Sequence, residues 1–293
     1  MRAQERARPA LVQVIYGEHS VPPYRFRQGS VPLVVSMPHS GTWIPPSLSR
    51  DMTDAALLRA DTDWHLPRLY DFLGELGASV IVATHSRYVV DLNRPPDDAN
   101  LYPGKDTTSL CPIDTFGKEP IYLAGRAPKP EAIRVRVDRH WAPYHRRLAG
   151  ELARVRQEHG VAVLWDAHSI VSVAPRFFEG RLADFNLGTC GGTSCGSALA
   201  GRLDSALGGH REWRSVLDGR FKGGHITRRY GRPAEDIHAV QMEMAQANYM
   251  DETSPFTFRE DLAARIRPIL KEQLEIALDW ARAQARTPPA KTA

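Results

Sequence analysis

The chain has 293 residues, of which 42% are hydrophobic and 25% charged, an ordinary globular composition that can build a large core. Its formal net charge of +4 comes from scattered arginines without a basic block, so no nucleic-acid-binding surface is predicted. No segment approaches the roughly 20 consecutive apolar residues of a membrane-spanning helix, so no membrane partner is predicted either.

The cysteines and the first residues of the chain indicate a compartment. Cys111, Cys190 and Cys195 are an odd and low number that offers no disulfide framework, so we predict free thiols in a reducing environment. The N-terminus lacks the apolar stretch of a signal peptide. These features predict a soluble cytoplasmic protein, and they leave its oligomeric state open.

In chain order, the hydrophobic patterns predict strands that alternate with helices. The predicted strands lie at 31–36, 78–83, 88–92, 161–165, 183–188 and 238–244. The predicted helices lie at 55–60, 65–76, 131–159 with a break near Pro143, 196–207 and 261–285. Residues 97–130 are too long for a plain connection and form either a functional loop region or a small subdomain. Residues 226–230 are predicted as an arginine-rich loop.

Strands alternating with long helices favour an α/β fold with three layers around a mostly parallel or mixed sheet. No internal repeat and no linker between two cores is visible. We therefore predict one domain over residues 1–293, with its core at about 30–285. The N-terminal start is polar, and the composition after residue 285 is that of a disordered tail.

Imidazole and acidic side chains follow the predicted strands. His39 follows the first strand, Asp166 and His168 follow the strand at 161–165, and Glu243 lies near the end of the last strand. The carboxyl ends of parallel strands are where open α/β sheets build their sites. Side chains alternate between the two faces of a strand, so Asp166 and His168, which are two residues apart, point to the same side. The structural alternative is a core histidine that is hydrogen-bonded to its neighbour.

Two histidines, one carboxylate and a vacant position describe a catalytic zinc site. A metal there lowers the pKa of a bound water, and a separate glutamate can take the proton. Asp61 and Asp63 precede the helix at 65–76 and can project toward the same edge of the sheet. The ligands are scattered, so spacing alone leaves this site a hypothesis.

Asn93 and Arg94 follow a predicted strand and precede two prolines that fix the backbone. An arginine held in this way suits bidentate recognition of a carboxylate. The structural alternative is an ion pair of Arg94 with Asp91 or Asp97. Further arginines could also bind a carboxylate, namely Arg176, Arg228, Arg229 and Arg232.

Seven motifs resemble the N-formylglutamate amidohydrolase family and occur in the same order. They are SMPHSG (36–41), DTDWH (61–65), YVVDLNRPP (88–96), LWDAHS (164–169), PRFFEG (175–180), GGHITR (223–228) and VQMEM (240–244). The resemblance covers residues 30 to about 255. It implies hydrolysis of N-formyl-L-glutamate to L-glutamate and formate, the last step of a histidine degradation pathway. It also implies a zinc-peptidase type of α/β fold, of the phosphorylase/hydrolase-like kind.

The resemblance further implies one divalent metal ion, zinc, and assigns roles to residues. His39 and His168 are the imidazole ligands and Glu243 is the general base. Asp63 is the expected acidic ligand, with Asp61 and Asp166 as alternatives, because Thr42 stands where carboxypeptidases have a glutamate ligand. In the other role considered for it, Asp166 does not bind the metal but orients one of the metal ligands. The residues expected to hold the substrate carboxylates are Asn93, Arg94, Arg176 and Arg228.

Two rival functions remain open at this point. The first is a related metal-dependent deacylase or carboxypeptidase that acts on another acidic N-acyl amino acid. The second is a binding protein for acidic amino acids without turnover. Release of formate distinguishes the predicted reaction from both.

Overall fold

The computed structural model describes residues 21–285, so the predictions for residues 1–20 and for the tail at 286–293 lie outside the described residues. Within the described range, the strands form one seven-stranded sheet. Its strands are β1 (Tyr24–Arg27), β2 (Leu33–Met37), β3 (Ser79–Ala83), β4 (Ala162–Ile170), β5 (Phe185–Gly188), β6 (Ser215–Leu217) and β7 (Ile237–Ala245).

The sheet is mixed, and its centre is parallel. The strand order is β1-β3-β2-β4-β7-β5-β6. The four strands β3, β2, β4 and β7 run parallel, whereas β1 and β5 are antiparallel to their neighbours β3 and β7. All nine residues of β4 and of β7 are buried, as expected for parallel strands that are covered on both faces. The predicted α/β domain with a mixed sheet is confirmed.

Helices cover the sheet on both faces, which makes the three layers. One face packs against α7 (Ser197–Gly209) and α9 (Glu260–Ala285), and the other packs against α6 (Ala142–His159) and α8 (His225–Tyr230). The remaining helices are α1 (Pro46–Ser49), α2 (Asp54–Leu57), α3 (Leu66–Leu69), α4 (Leu73–Leu76) and α5 (Pro130–Arg136). No helix between residues 21 and 285 is long and apolar enough to cross a bilayer.

The break predicted near Pro143 is a π-helical turn, Val137–Trp141, between α5 and α6. Pro143 has no backbone N–H to donate to the preceding turn, and a widened turn accommodates this loss. Trp141 is the last residue of this turn. Its indole Nε1 donates a hydrogen bond to the carbonyl of Arg94 at 2.9 Å.

Three predicted elements differ from the observed ones. The strand predicted at 88–92 is absent from this described segment, where the N–H of Asp91 donates to the carbonyl of Leu110 in the following loop. The helix predicted at 65–76 is divided into α3 and α4. The arginine-rich segment at 226–230 is helical (α8), because it packs on β7 instead of lying in solvent.

The segment at 97–130 is a loop region. Isolated bridges join Met52 to Tyr122 and Asp114 to Pro120, but this part of the described chain contains no longer strand before α5. Its inner residues pack on Tyr88 and Ile44 in a separate small hydrophobic cluster. The loop region is therefore anchored to the domain and is not a second core.

We expect Leu164→Ala to reduce the free energy of unfolding by about 2–5 kcal/mol, because it opens a cavity at the centre of the core. Leu164 is fully buried between β4 and α6. Leu58, which is 50% exposed, provides the control, and Leu58→Ala should cost less than about 1 kcal/mol. Urea denaturation followed by circular dichroism measures both. Equal losses would contradict the central position of β4.

Candidate active site and metal-binding group

Three neighbouring parallel strands carry the candidate site. His39 stands just after β2, where Pro38 ends the strand, while His168 and Glu243 lie directly opposite each other in the register of β4 and β7. The sequence predicted that the strand at 161–165 ends before the motif. The strand instead continues to Ile170, so that Asp166 and His168 are strand residues on one face.

His39, Asp63 and His168 are buried and form a group that could hold a metal ion. One ligand atom from each residue lies within 4.8 Å of the others. Nδ1 of His168 is 3.1 Å from Oδ2 of Asp63, and Nδ1 of His39 is 3.8 Å from the same oxygen. Asp63 is fixed by its backbone N–H, which donates to the carbonyl of His39, and by the N–H of Ser169, which donates to its side chain.

Each imidazole has a second carboxylate at its other nitrogen. Nε2 of His39 donates to Asp91 at 2.7 Å, and Nε2 of His168 lies 3.1 Å from Oδ2 of Asp166. Where Nε2 carries the proton, the lone pair of Nδ1 faces Asp63. This carboxylate–histidine arrangement is typical of metal sites, where it fixes the tautomer and the ring orientation. Asp166 lies beside His168 and outside the group of three possible ligands.

Electrostatics at the two histidines differ. Burial and the positive charge of Arg87 lower the pKa of His39, which keeps the imidazole neutral, as a metal ligand must be. Burial also disfavours the charged form of His168, but Asp166 and Asp63 outweigh burial and raise its pKa well above the ordinary value. Two carboxylates around one imidazole therefore favour a positive charge at this place.

Asp61, the alternative to Asp63 as the acidic metal ligand, points to the loop region at 97–130. Its carboxylate accepts a hydrogen bond from the backbone N–H of Phe116 at 2.9 Å, which ties the loop region at 97–130 to the domain. Burial raises the pKa of Asp61 to about 6. Asp61 is not part of the buried group of possible ligands, which contains Asp63 instead.

Glu243 lies beside the metal-binding group and is buried. The amide Nε2 of Gln241 donates to Oε2 of Glu243 at 3.2 Å, and the N–H of Gly224 in turn donates to Oε1 of Gln241 at 2.8 Å. This chain of hydrogen bonds orients the carboxylate of Glu243, which lines the cavity described below. Burial raises the pKa of Glu243 to about 8, so the carboxyl group can accept and release a proton near neutral pH.

Asn93 and Arg94 reach the same cavity on an irregular segment. Nδ2 of Asn93 is 3.1 Å from Nε2 of His168, and its Oδ1 accepts from the N–H of Ile226. Close packing here requires glycine, since a Cβ at Gly224 would lie 2.3 Å from Nδ2 of Asn93. The terminal nitrogen of Arg94 approaches the hydroxyl of Thr108 at 3.4 Å.

These side chains enclose a cavity of about 90 Å³. Residues from the strand edge and from the loops line it, among them His39, Asp63, Arg87, Asn93, Arg94, Tyr102, Thr108, Phe116, His168, Phe177, Arg220, Gln241 and Glu243. The enclosed space and its three arginines suit a small anionic molecule.

Arg176 and Arg228, two of the predicted substrate-binding arginines, are not among the lining residues. Arg176 forms ion pairs with Asp114 at 2.8 Å and with Asp106 at 3.0 Å, so it holds the loop region together. Arg228 donates from Nε to the carbonyl of Gly223 at 3.1 Å and lies over the ring of Tyr102. The structure therefore brings Asn93 and Arg94 to the cavity, and it engages Arg176 and Arg228 elsewhere.

Sequence reasoning missed four residues of the site. Arg87 and Asp91 form a buried ion pair at 2.6 Å, and Asp91 was considered only as a partner of Arg94. Gln241 precedes Glu243 by two residues, so strand alternation could have identified it. Arg220 lies in none of the seven motifs, and no signal in the sequence distinguishes it from the other arginines.

Comparison with known proteins gives concordant results. The sequence model of the N-formylglutamate amidohydrolase family matches residues 31–250. The chain is 52% identical over 257 residues to an N-formylglutamate deformylase of Pseudomonas aeruginosa, covering 88% of this chain and 96% of that protein. It is 50% identical over 255 residues to an N-formylglutamate deformylase of Pseudomonas putida, covering 87% and 95%.

A solved structure is also similar. The crystal structure of an N-formylglutamate amidohydrolase from Ralstonia eutropha superposes with a TM-score of 0.78 at 25% identity, covering 90% of this chain and all of that one. The resemblance carried by the seven motifs is thus confirmed. The chain belongs to the N-formylglutamate amidohydrolase family.

Proposed function

We propose that this protein hydrolyses N-formyl-L-glutamate to L-glutamate and formate with the help of one divalent metal ion, zinc. The observation that carries the proposal is the buried His39–Asp63–His168 group beside Glu243 in a cavity lined by arginines. Relatives that are 50–52% identical over most of the chain are N-formylglutamate deformylases, which supports this substrate over other acidic N-acyl amino acids.

The donor set fits the metal. Two imidazole nitrogens and one carboxylate oxygen are ligands that zinc accepts in catalytic sites, where one position is left for a small molecule. His39 and His168 would bind through Nδ1 and Asp63 through its carboxylate. An ion held there acts as a Lewis acid and lowers the pKa of a bound water.

The chain's own residues perform the remaining steps. Glu243 takes the proton of the attacking water and gives it to the departing amide nitrogen, for which a carboxyl group with a raised pKa is suited. Gln241 holds Oε2 of Glu243 and leaves the other oxygen for this transfer. Asp91 and Asp166 keep the two imidazoles in the tautomer that presents Nδ1.

Other parts of the proposal rest on the family resemblance and on composition. We assign the fold to the zinc-peptidase type, and the reaction to the last step of histidine degradation. The low number of cysteines supports a reducing, cytoplasmic location. The single domain is taken to span residues 1–293, with its core at about 30–285.

Formate release from N-formyl-L-glutamate tests the proposal. Glu243→Gln removes the proton acceptor, so kcat should fall by about 10²–10⁴-fold while the bound metal is retained. His168→Ala should lose both the metal and the activity. Glu235→Gln, at an exposed glutamate just before β7, is the control and should behave as wild type.

Metal content by mass spectrometry accompanies each assay. An active enzyme that contains no metal would refute the metal site. Full activity of Glu243→Gln with its metal would refute the role of the glutamate.

Asp91→Asn should weaken zinc binding by about 10–100-fold, because an amide orients the His39 ring less firmly than a carboxylate does. Competition with a chromophoric chelator measures the dissociation constant. Asp71→Asn, at an exposed aspartate, should leave it unchanged. Urea denaturation of Asp91→Asn separates weakened metal binding from unfolding, since Arg87 loses its buried partner in this variant.

The acid side of the pH profile should report the ionisation of Glu243. A general base works only when it is deprotonated, so kcat/KM should fall about tenfold per pH unit below the pKa of Glu243. Burial raises this pKa to about 8, and a bound cation would bring it below that value. The hydrogen bond from Gln241 stabilises the carboxylate, so Gln241→Met should raise the pKa and move the acid limb to higher pH. A limb that stays in place would contradict this contact.

A further inference from the structure

The charges of the cavity are unequally paired. Of its three lining arginines, Arg87 is neutralised by Asp91 at 2.6 Å. Arg94 contacts the hydroxyl of Thr108, and Arg220 contacts a carbonyl, but neither forms an ion pair with an acidic side chain between residues 21 and 285. Two arginines without an ion-pair partner in one cavity suit an anionic ligand.

Arg220 is held in a fixed position without being neutralised. Its Nε donates to the carbonyl of Phe177, and its guanidinium lies 5.4 Å from the ring centroid of Phe221 and 5.5 Å from that of Tyr102. Aromatic rings at such distances attract a guanidinium without removing its charge. Because only Nε is engaged in the described contacts, the terminal nitrogens can bind a carboxylate with two hydrogen bonds.

Arg94 is also fixed, on a segment that adjoins His168. Trp141 holds its carbonyl, and the preceding residue, Asn93, touches His168. Burial lowers the pKa of Arg94, which reflects a charge that is removed from water without sufficient compensation. The contacts of Arg220, in contrast, are with loop residues and include none of His39, Asp63, His168 and Glu243.

We propose that Arg220 binds the side-chain carboxylate of the substrate and determines specificity for an acidic residue, whereas Arg94 binds the α-carboxylate. This inference rests on the proposed function. The α-carboxylate is attached to the carbon that carries the scissile amide nitrogen, so its partner must lie near the metal-binding group. The γ-carboxylate lies farther along the side chain, where the aromatic surroundings of Arg220 meet the cavity.

The test compares N-formyl-L-glutamate with N-formyl-L-glutamine, which has the same shape but no second charge. Arg220→Met should lower kcat/KM for N-formyl-L-glutamate by about 10–100-fold, the size expected for lost charged hydrogen bonds, and should change the value for the glutamine substrate by less than about threefold. Arg220→Lys should restore part of the preference. Arg94→Met should impair both substrates, because both carry the α-carboxylate.

Arg211→Met removes an exposed arginine from the same part of the chain and should leave both substrates unaffected. Calorimetric binding of N-formyl-L-glutamate to Glu243→Gln, with and without Arg220→Met, provides a readout without turnover and should show the same loss. Equal effects of Arg220→Met on both substrates, or no effect, would overturn the assignment of Arg220. Failure of the wild-type protein to release formate would instead overturn the proposed function.

Discussion

The site depends on the contacts between its two histidines and the carboxylates that lie at their Nε2 atoms. Nε2 of His39 is bound by Asp91, and Nε2 of His168 by Asp166, so both Nδ1 atoms face Asp63. Without these contacts the rings could rotate, and the third ligand would have no defined partners. The carboxylates also compensate the burial of any positive charge placed between the imidazoles.

Asp91 connects this group to the rest of the cavity. It accepts hydrogen bonds from His39, from Arg87 and from the backbone N–H of Asn93 at 2.8 Å. Burial alone would raise its pKa, but the hydrogen bond from His39 and the charge of Arg87 outweigh burial and hold the pKa well below the ordinary value. A charged Asp91 therefore fixes the ring of His39 and the backbone of Asn93 together.

The segment that contains Asn93 and Arg94 is also held by side chains from the π-helical turn and from α6. Trp141, in the π-helical turn, holds the carbonyl of Arg94, and its ring stacks on His145 with centroids 3.7 Å apart. Nε2 of His145 donates to the carbonyl of Leu92 at 2.9 Å. Because residues 88–94 belong to no strand, these side chains replace the hydrogen bonds that a sheet would provide.

The part of the site that could be predicted from sequence is the part built on strands. His39, His168 and Glu243 come together because β2, β4 and β7 are adjacent and parallel, and hydrophobic runs identify such strands. Asp91 was less visible, because its segment has the composition of a strand and yet pairs with Leu110 in a loop. The composition of a segment does not show whether its backbone groups form hydrogen bonds within the sheet or with a loop.

The arginines show the limit of sequence reasoning most clearly. Arg176 and Arg220 have the same chemistry, but Arg176 lies within one of the seven motifs and Arg220 lies in none. What separates them is that Asp106 and Asp114, more than 60 residues before Arg176 in the chain, neutralise it, whereas aromatic rings surround Arg220. The charge available to a ligand is therefore a property of the folded loops. It follows that loop changes around Arg220 can alter substrate choice while the positions of His39, Asp63 and His168 stay the same.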